Sequence, residues 1–378
     1  MKILVISHEY PPIGGGGGRV VQDLCVGIAS KDYTFHIVTA SWYHLPEYEK
    51  SDHLIIERIK SHRTQAYRAG LATMLCFVWK SFWRSLQIIR NWHPDIIHAH
   101  FAVPGGASAA LAGLITKTPY LITAHGGDVP GGAPDKTKKW FRFILPFTQF
   151  IWKNAARIIT ISQRSQQLAL VHYPVEIDII PNGINTSHYL KHNLEPHDPP
   201  HIIYIGRFSP EKNARTVPLI LSQLQDLKWK CIMVGDGPQK AIVQSLIAEY
   251  QLENRIDLLG WIEPKEVDRV LSDSDILLMP SFQEGMPMAG LQALASGKAL
   301  VMSAVGACPD MIDIGRNGFL VNAGEIDEYA HALRKLLCDH ALLHQYKINS
   351  REKARDFDIN KVVVAYKKVY DSILKGNE

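Results

Sequence analysis

"KILVISHEYPPIGGGGGRVVQDL", residues 2–24, passes from a short apolar, β-rich run through a glycine-rich turn into a helical segment. A buried strand that feeds a turn and then a helix is the opening of a β-α-β unit. The same grammar returns in "FHIVTA", "DIIHAHF", "YLITAHG" and "RIITIS", with helical stretches such as Val20 to Ala29 and Thr73 to Arg90 between them. Strands that alternate with helices imply a parallel sheet covered on both faces.

The polar stretch "NTSHYLKHNLEPHDPP" carries three prolines and interrupts this pattern. The pattern then restarts with "HIIYIGR", "KCIMVGDG", "IDLLGW", "DILLMPS", "ALVMSA" and "GFLV". The expected fold is α/β, with two doubly wound Rossmann-like domains facing across a cleft. The first domain is expected over residues 1–190, a linker over 191–200 and the second domain over 201–358. The helical C-terminal segment, 359–378, is expected to pack back on the first domain.

With 378 residues, 46% apolar and 21% charged, the chain has the composition of a globular protein with sizeable cores. The cysteines at 25, 76, 231, 308 and 338 show no metal or redox spacing, which suggests a reducing, cytoplasmic setting. "MKILVISHEY" does not read as a signal peptide, and no apolar run reaches the ~18 residues of a membrane span. Charge is uneven. Residues 1–190 hold 19 Lys and Arg against 12 Asp and Glu, and the remainder holds 22 against 25. A basic first half suits an anionic partner, though ordinary fluctuation would also produce it.

In open α/β sheets, ligands bind beyond the carboxyl ends of the strands, so the residues just after each strand matter most. After the first strand come five glycines, 14–18, leading into a helix. Glycine amides and a helix N-terminus together suit a phosphate. The loop is not a Walker loop, and Arg19 breaks a G-x-G-x-x-G count from Gly14. Past two further strands lie His98, His100 and His125. His98 and His100 share a strand face, but no Glu or Cys at ligand spacing supports a metal. His98 reads as structural, and His125 as an exposed, functional strand-end residue. "YIGRFSPEKN" places Arg207 and Lys212 after a strand, an arrangement that fits a diphosphate. The glycines of "VGDGP" need only turn geometry. "DSD" at 273–275 matches a metal-binding D-x-D, but it sits at a helix end before a buried strand and reads as a decoy.

"SFQEGMPMAGLQALASG" puts Glu284 after a strand, at the expected start of a helix, with Pro287 in its first turn and Gln292 two turns on. A carboxylate for hydroxyls, the amides of Gly285 and Met286 at a helix start, and a second polar group further along together suit a nucleotide-sugar. The bland alternative is an acidic residue favoured by the helix dipole.

Taken in order, "PPIGGGGGRV", "HAHFAVPG", "TAHGGD", "IGRFSPEKN", "VGDGP", "LLGWI" and "MPSFQEGMPMAGLQALASG" resemble the retaining glycosyltransferases of family 4, with the GT-B fold. The resemblance covers almost the whole chain. It implies transfer of a sugar from a nucleoside-diphosphate sugar, UDP- or GDP-linked, to a hydroxyl acceptor such as a glycolipid or polysaccharide precursor. It implies Gly16, with Gly15 and Gly17, at the donor β-phosphate, and Arg207 and Lys212 on the diphosphate. It places His125 at the reacting centre and Glu284 on sugar hydroxyls. Ile262, Gly285, Met286 and Pro287 fall on the donor side, and His100 and Asp128 on the acceptor side. No metal, no cofactor beyond the co-substrate and no nucleic-acid partner are implied.

The chain departs from the family's Glu-x7-Glu pair at the second position, where it has Gln292. An amide accepts at one end and donates at the other, so ribose binding loses charge assistance. No dedicated base and no carboxylate nucleophile can be placed, which fits a front-face mechanism in which the leaving phosphate takes the acceptor proton. An epimerase of the same two-domain fold and a binding protein that has lost catalysis are the rival expectations.

"YRAGLATMLCFVWKSFWRSLQIIRNW" carries a helical apolar stripe at 75, 78, 79, 82, 83, 86 and 89 with basic flanks, and "KTKKWFRFILPF" is a second basic-aromatic patch. Core helices with solvated Lys and Arg are the first expectation. A peripheral contact with the inner face of a membrane is the second.

Overall fold

The computed structural model of the chain describes residues 1–63, 69–132 and 134–375, with the side chains at 134–142 and 264 outside the described set. The chain divides into two compact units, Met1–Gly183 with Ile359–Glu378, and Ile184–Asp358. Both are α/β with parallel sheets.

In the first unit the strands are β1 (Lys2–Ile6), β2 (Thr34–Ala40), β3 (Tyr48–Lys50), β4 (Leu54–Ile59), β5 (Ile96–His100), β6 (Tyr120–Ala124), β7 (Arg157–Thr160) and β8 (Asp178–Ile179). Their order is β3-β4-β2-β1-β5-β6-β7-β8, and only the β3–β4 pairing is antiparallel. The inner strands are almost wholly buried and mostly Ile, Val, Leu and Ala, with buried His and Thr among them, as expected of a parallel sheet covered on both faces. Each fully buried Ile or Leu contributes roughly 1.5–3 kcal/mol of transfer free energy.

The second unit holds β9 (His201–Ile205), β10 (Lys230–Val234), β11 (Ile256–Gly260), β12 (Ile276–Met279), β13 (Ala299–Ser303) and β14 (Gly318–Val321). The order β11-β10-β9-β12-β13-β14 reverses direction between β9 and β12. That reversal is the topological switch point of a doubly wound sheet, where ligands bind beyond the carboxyl ends. The corresponding reversal in the first unit lies between β1 and β5.

The first unit ends at Gly183, short of the expected residue 190. Residues 191–200 are not a free linker but fold with the second unit. The buried carboxylate of Asp275 accepts from the amides of His197 (3.2 Å) and His201 (2.8 Å), and Lys347 Nζ reaches the Glu195 carbonyl. A polar, proline-rich segment can thus be anchored by distant buried charges that its own sequence does not reveal. The helix Ile359–Lys375 packs on the helix Gly16–Ile28, with Val363, Tyr366 and Tyr370 in the first unit's core. Tyr370 also reaches His98 from there.

Candidate functional site

Gly206 and Arg207 leave β9 at the switch point, and the chain then makes one tight turn, Pro210–Lys212. Asn213 ends the turn in the left-handed region and ties it to β12's exit through its side-chain amide, which donates to the Pro280 carbonyl at 3.1 Å. The turn returns Lys212 toward the loop that follows β12. There its Nζ meets Glu284 Oε2 at 2.5 Å, while Ser281 Oγ donates to Glu284 Oε1 at 2.8 Å. The amides of Phe282 and Gln283 both donate to the Glu211 carbonyl, so the two loops are fastened backbone to backbone. Gly306, at φ +56°, lets a third loop lie against this one, since a Cβ there would stand 2.1 Å from the Glu284 carbonyl oxygen. The Glu284 side chain is only 3% exposed. A desolvated carboxylate of this kind persists because Lys212 and Ser281 compensate it.

Glu284 does not open a helix. The helix is Met288–Ala295, with Pro287 as its N-cap in an extended conformation rather than in the first turn. Hydrogen bonds to Glu211, and the Gly285 carbonyl accepting from Ala307 N at 2.7 Å, hold residues 281–287 as a loop. Gln292 therefore lies on the second turn of a later helix, half-buried. Met286 and Pro287 are buried beside the loop, and Ile262 is half-buried just beyond β11 on the same carboxyl edge. Gly235 and Gly237 have positive φ and pack against the backbone of Gly206 and Phe208, which accounts for them as turn residues.

The first unit carries its own set at its switch point. His100 ends β5 fully buried, and its Nδ1 lies 3.1 Å from His125 Nε2. His125 was expected to be exposed, but it is 8% exposed, with Phe101 on it at a ring separation of 4.4 Å. His8 flanks Phe101 at 4.6 Å. Burial, with the neighbouring His8 second, depresses His125 to about 3, so the ring is neutral at ordinary pH. His100 sits underneath His125 instead of lining an open acceptor surface. Asp128 positions His125: its Oδ1 accepts from the His125 amide at 2.8 Å and its Oδ2 from the Ala102 amide. Burial raises Asp128 to about 6, against the pull of these backbone donors. His98 is structural as expected, with Nδ1 at 2.8 Å from the Tyr370 hydroxyl and Nε2 at 2.9 Å from Thr123 Oγ1.

The glycine loop precedes and opens the helix Gly16–Ile28, with Gly15 as N-cap. Gly15 and Gly16 are exposed and Gly17 lies against Phe101. Sequence reasoning missed Glu9, whose Oε2 accepts from the Gly15 amide at 3.1 Å. A carboxylate therefore already occupies one donor of the expected phosphate cradle. Glu9 stands directly after β1, so the after-the-strand rule that selected the glycines would also have found it. Ser281 and Phe101 were missed for the same reason.

The helix Leu71–Trp92 buries Phe77, Leu86, Ile88 and Ile89 but exposes Leu75, Trp79 and Trp83. The apolar stripe is wider than the arc the helix can bury, so part of it faces outward rather than into the core. Trp79 is 63% exposed, and its ring meets Trp83 edge-on at 5.7 Å. Most side chains of "KTKKWFRFILPF", like Arg68 ahead of the helix, lie outside the described residues. Among the described residues, no helix is long and apolar enough to cross a membrane.

Two family models match the chain, "Glycosyltransferase Family 4" over residues 14–188 and "Glycosyl transferases group 1" over residues 186–353. An uncharacterized glycosyltransferase of Methanocaldococcus jannaschii is 25% identical over 99% of this chain and 99% of its own. The N-acetyl-alpha-D-glucosaminyl L-malate synthase of Bacillus anthracis is 22% identical, covering 100% of this chain and 99% of its own. Among solved structures, the sucrose-phosphate synthase of Thermosynechococcus elongatus superposes over all of both chains with a TM-score of 0.84 at 20% identity. The Anabaena HepE protein in complex with UDP-glucose has a TM-score of 0.74 at 20% identity, covering 98% of this chain and 100% of that one. The structural likenesses establish the two-domain GT-B fold.

Proposed function

Since the chain belongs to the glycosyltransferases of family 4, we propose that it moves a sugar from a nucleoside-diphosphate sugar to a hydroxyl acceptor, with retention and without a metal. The observation that carries this proposal is the Lys212–Glu284 pair beside Arg207 at the carboxyl edge of β9 and β12. A sugar diphosphate needs cations at its phosphates and a hydroxyl acceptor next to them, and this corner of the second unit supplies both.

In the proposed reaction, the bond between the anomeric carbon and the diphosphate oxygen breaks while the acceptor oxygen bonds to that carbon on the same face. Negative charge grows on the leaving diphosphate, and Arg207 and Lys212 stabilise it without reorganisation. The leaving phosphate oxygen takes the acceptor proton. Glu284 accepts from sugar hydroxyls, and Gln292 meets the ribose. Gly15, Gly16 and Gly17 offer amides to the β-phosphate. His125 acts as a neutral hydrogen-bonding group, since its burial disfavours the imidazolium.

UDP-glucose bound to the Anabaena protein, and relatives named for teichuronic acid and colanic acid biosynthesis in Bacillus subtilis and Salmonella typhimurium, support a nucleotide-sugar donor and a glycan or glycolipid acceptor. The outward Trp79 and Trp83 support a peripheral membrane contact for such an acceptor. Incubating the full chain with a panel of UDP- and GDP-sugars and membrane extracts, with mass spectrometry of the products and proton NMR of their anomeric centres, tests the reading. A transferred hexose with the donor's anomeric configuration, formed equally in EDTA, is the expected result. Nucleotide binding without turnover of any donor would instead favour the weakened binding protein that Gln292 keeps open.

A further inference from the structure

The D-x-D read as a decoy for the donor metal holds a different arrangement, at the other end of the second sheet. Asp273 follows the helix Pro264–Ser272 and precedes β12, while His197 and His201 lead into β9. The two imidazoles stack at 4.3 Å, only 10° from parallel. His201 Nδ1 lies 3.0 Å from the Asp273 backbone carbonyl, a group that can only accept, so this nitrogen carries the proton. His197 Nδ1 lies 3.0 Å from Oδ2 of the buried Asp275, again an acceptor. As neutral rings, both are thereby held in the tautomer whose Nε2 carries the lone pair. A histidine whose other nitrogen donates to a carboxylate or a carbonyl is the usual support for a metal ligand. The third group is already close, with the Asp273 carboxylate 3.4 Å from His197 Nε2. One ligand atom from each of the three residues lies within 4.8 Å of the others.

We propose that His197, His201 and Asp273 form a binding site for a zinc-class divalent ion. Two imidazoles and one carboxylate suit zinc and its first-row neighbours, whereas magnesium and calcium prefer all-oxygen shells. In a tetrahedron with bonds of about 2.0–2.1 Å, neighbouring ligand atoms stand about 3.3 Å apart, so the widest pair closes by at most about 1.5 Å through side-chain rotation. Water takes the remaining position. The ion ties the segment entering the second unit to the start of β12. Arg207 lies beyond the far end of β9, which is itself about 13 Å from His201 at ~3.3 Å per residue. The site therefore serves the stability of the second unit, and the transfer chemistry does not depend on it.

The test uses the full, untagged chain with zinc chloride, and reads both titration calorimetry and thermal unfolding. The expected result is saturable binding with an upward shift in Tm, with no such shift from magnesium chloride. Asp273→Asn and His201→Gln each weaken zinc binding at least about tenfold. The Asp273 side chain is largely exposed, so Asp273→Asn retains the metal-free Tm and separates ligand loss from misfolding. Absence of zinc binding, or the same zinc affinity in Asp273→Asn as in the parent chain, overturns the proposal. Transfer activity reports on the donor-site reading separately and is expected to survive both substitutions.

Discussion

Lys212 Nζ and Glu284 Oε2 lie 2.5 Å apart although 72 residues separate them in the chain. The pair joins the loop after β9 to the loop after β12 at the point where strand order reverses. The Glu284 side chain is buried, and Lys212 offsets the cost of desolvating its carboxylate. A donor that enters this corner meets a cation for phosphate and a carboxylate for hydroxyls, already oriented.

Arg207→Ala and Lys212→Ala are each expected to lower kcat/KM for transfer by roughly 10²-fold or more, through lost stabilisation of the leaving diphosphate. The two differ in stability. Lys212→Ala also strands the buried Glu284 carboxylate, which costs on the order of 3 kcal/mol, whereas Lys212→Ala combined with Glu284→Gln recovers part of that loss. Steady-state kinetics and urea unfolding separate the effects. Unchanged kinetics in a folded Arg207→Ala or Lys212→Ala variant would remove the diphosphate assignment.

Glu9 competes for the amide offered to phosphate. Glu9→Gln removes a negative charge 3.1 Å from Gly15 N and is expected to tighten binding of the cognate nucleoside diphosphate by a few-fold, about 1 kcal/mol or less. Calorimetry measures it. Weaker binding in Glu9→Gln would mean that the carboxylate orders the loop for the ligand instead of opposing it.

Gln292→Glu restores a two-hydroxyl acceptor and is expected to tighten nucleotide binding about five-fold, or on the order of 1 kcal/mol. Gln292→Leu weakens it. Equal dissociation constants for the parent and both variants would show that Gln292 does not meet the ligand.

Acid weakens the first unit through its histidines. Burial holds His8 at about 4 and both His98 and His125 at about 3, and it places His100 well below the ordinary 6.5. These groups bind fewer protons folded than unfolded, so their contribution is complete above pH 6.5 and is lost as pH falls toward 3. Asp128, raised to about 6, acts in the opposite direction and recovers part of the loss below that value. The urea midpoint is therefore expected to fall between pH 7.5 and 5. A midpoint that holds or rises over that interval would contradict the neutral histidine stack.

Trp79→Ser with Trp83→Ser is expected to leave the fold intact, because both rings are largely exposed. Co-sedimentation with anionic vesicles should drop several-fold, since these two rings are the largest exposed apolar groups of their helix. Equal sedimentation of parent and variant would assign the two tryptophans to another surface role.

Sequence alone determined the repeated strand–turn–helix grammar, and with it two parallel sheets and the strand ends at which Arg207, Lys212, Glu284 and His125 stand. Those features are local: apolar runs, glycine turns and the period of each element are written in neighbouring residues. The strand Leu54–Ile59, in "DHLIIERIK", next to the sheet edge, went unread because its side chains are mostly only partly buried and the run carries charges. Tertiary structure decided everything that depends on partners far apart in sequence. It set the start of the helix at Met288, because Glu211 and Ala307 hold the preceding residues as a loop. It folded residues 191–200 onto Asp275 and Lys347, and it buried His125 under Phe101. It turned Trp79 and Trp83 outward and gave Glu9 the amide of Gly15. Burial and charge pairing are properties of packed surfaces, and a residue's sequence neighbours do not specify which distant group will desolvate it or neutralise it.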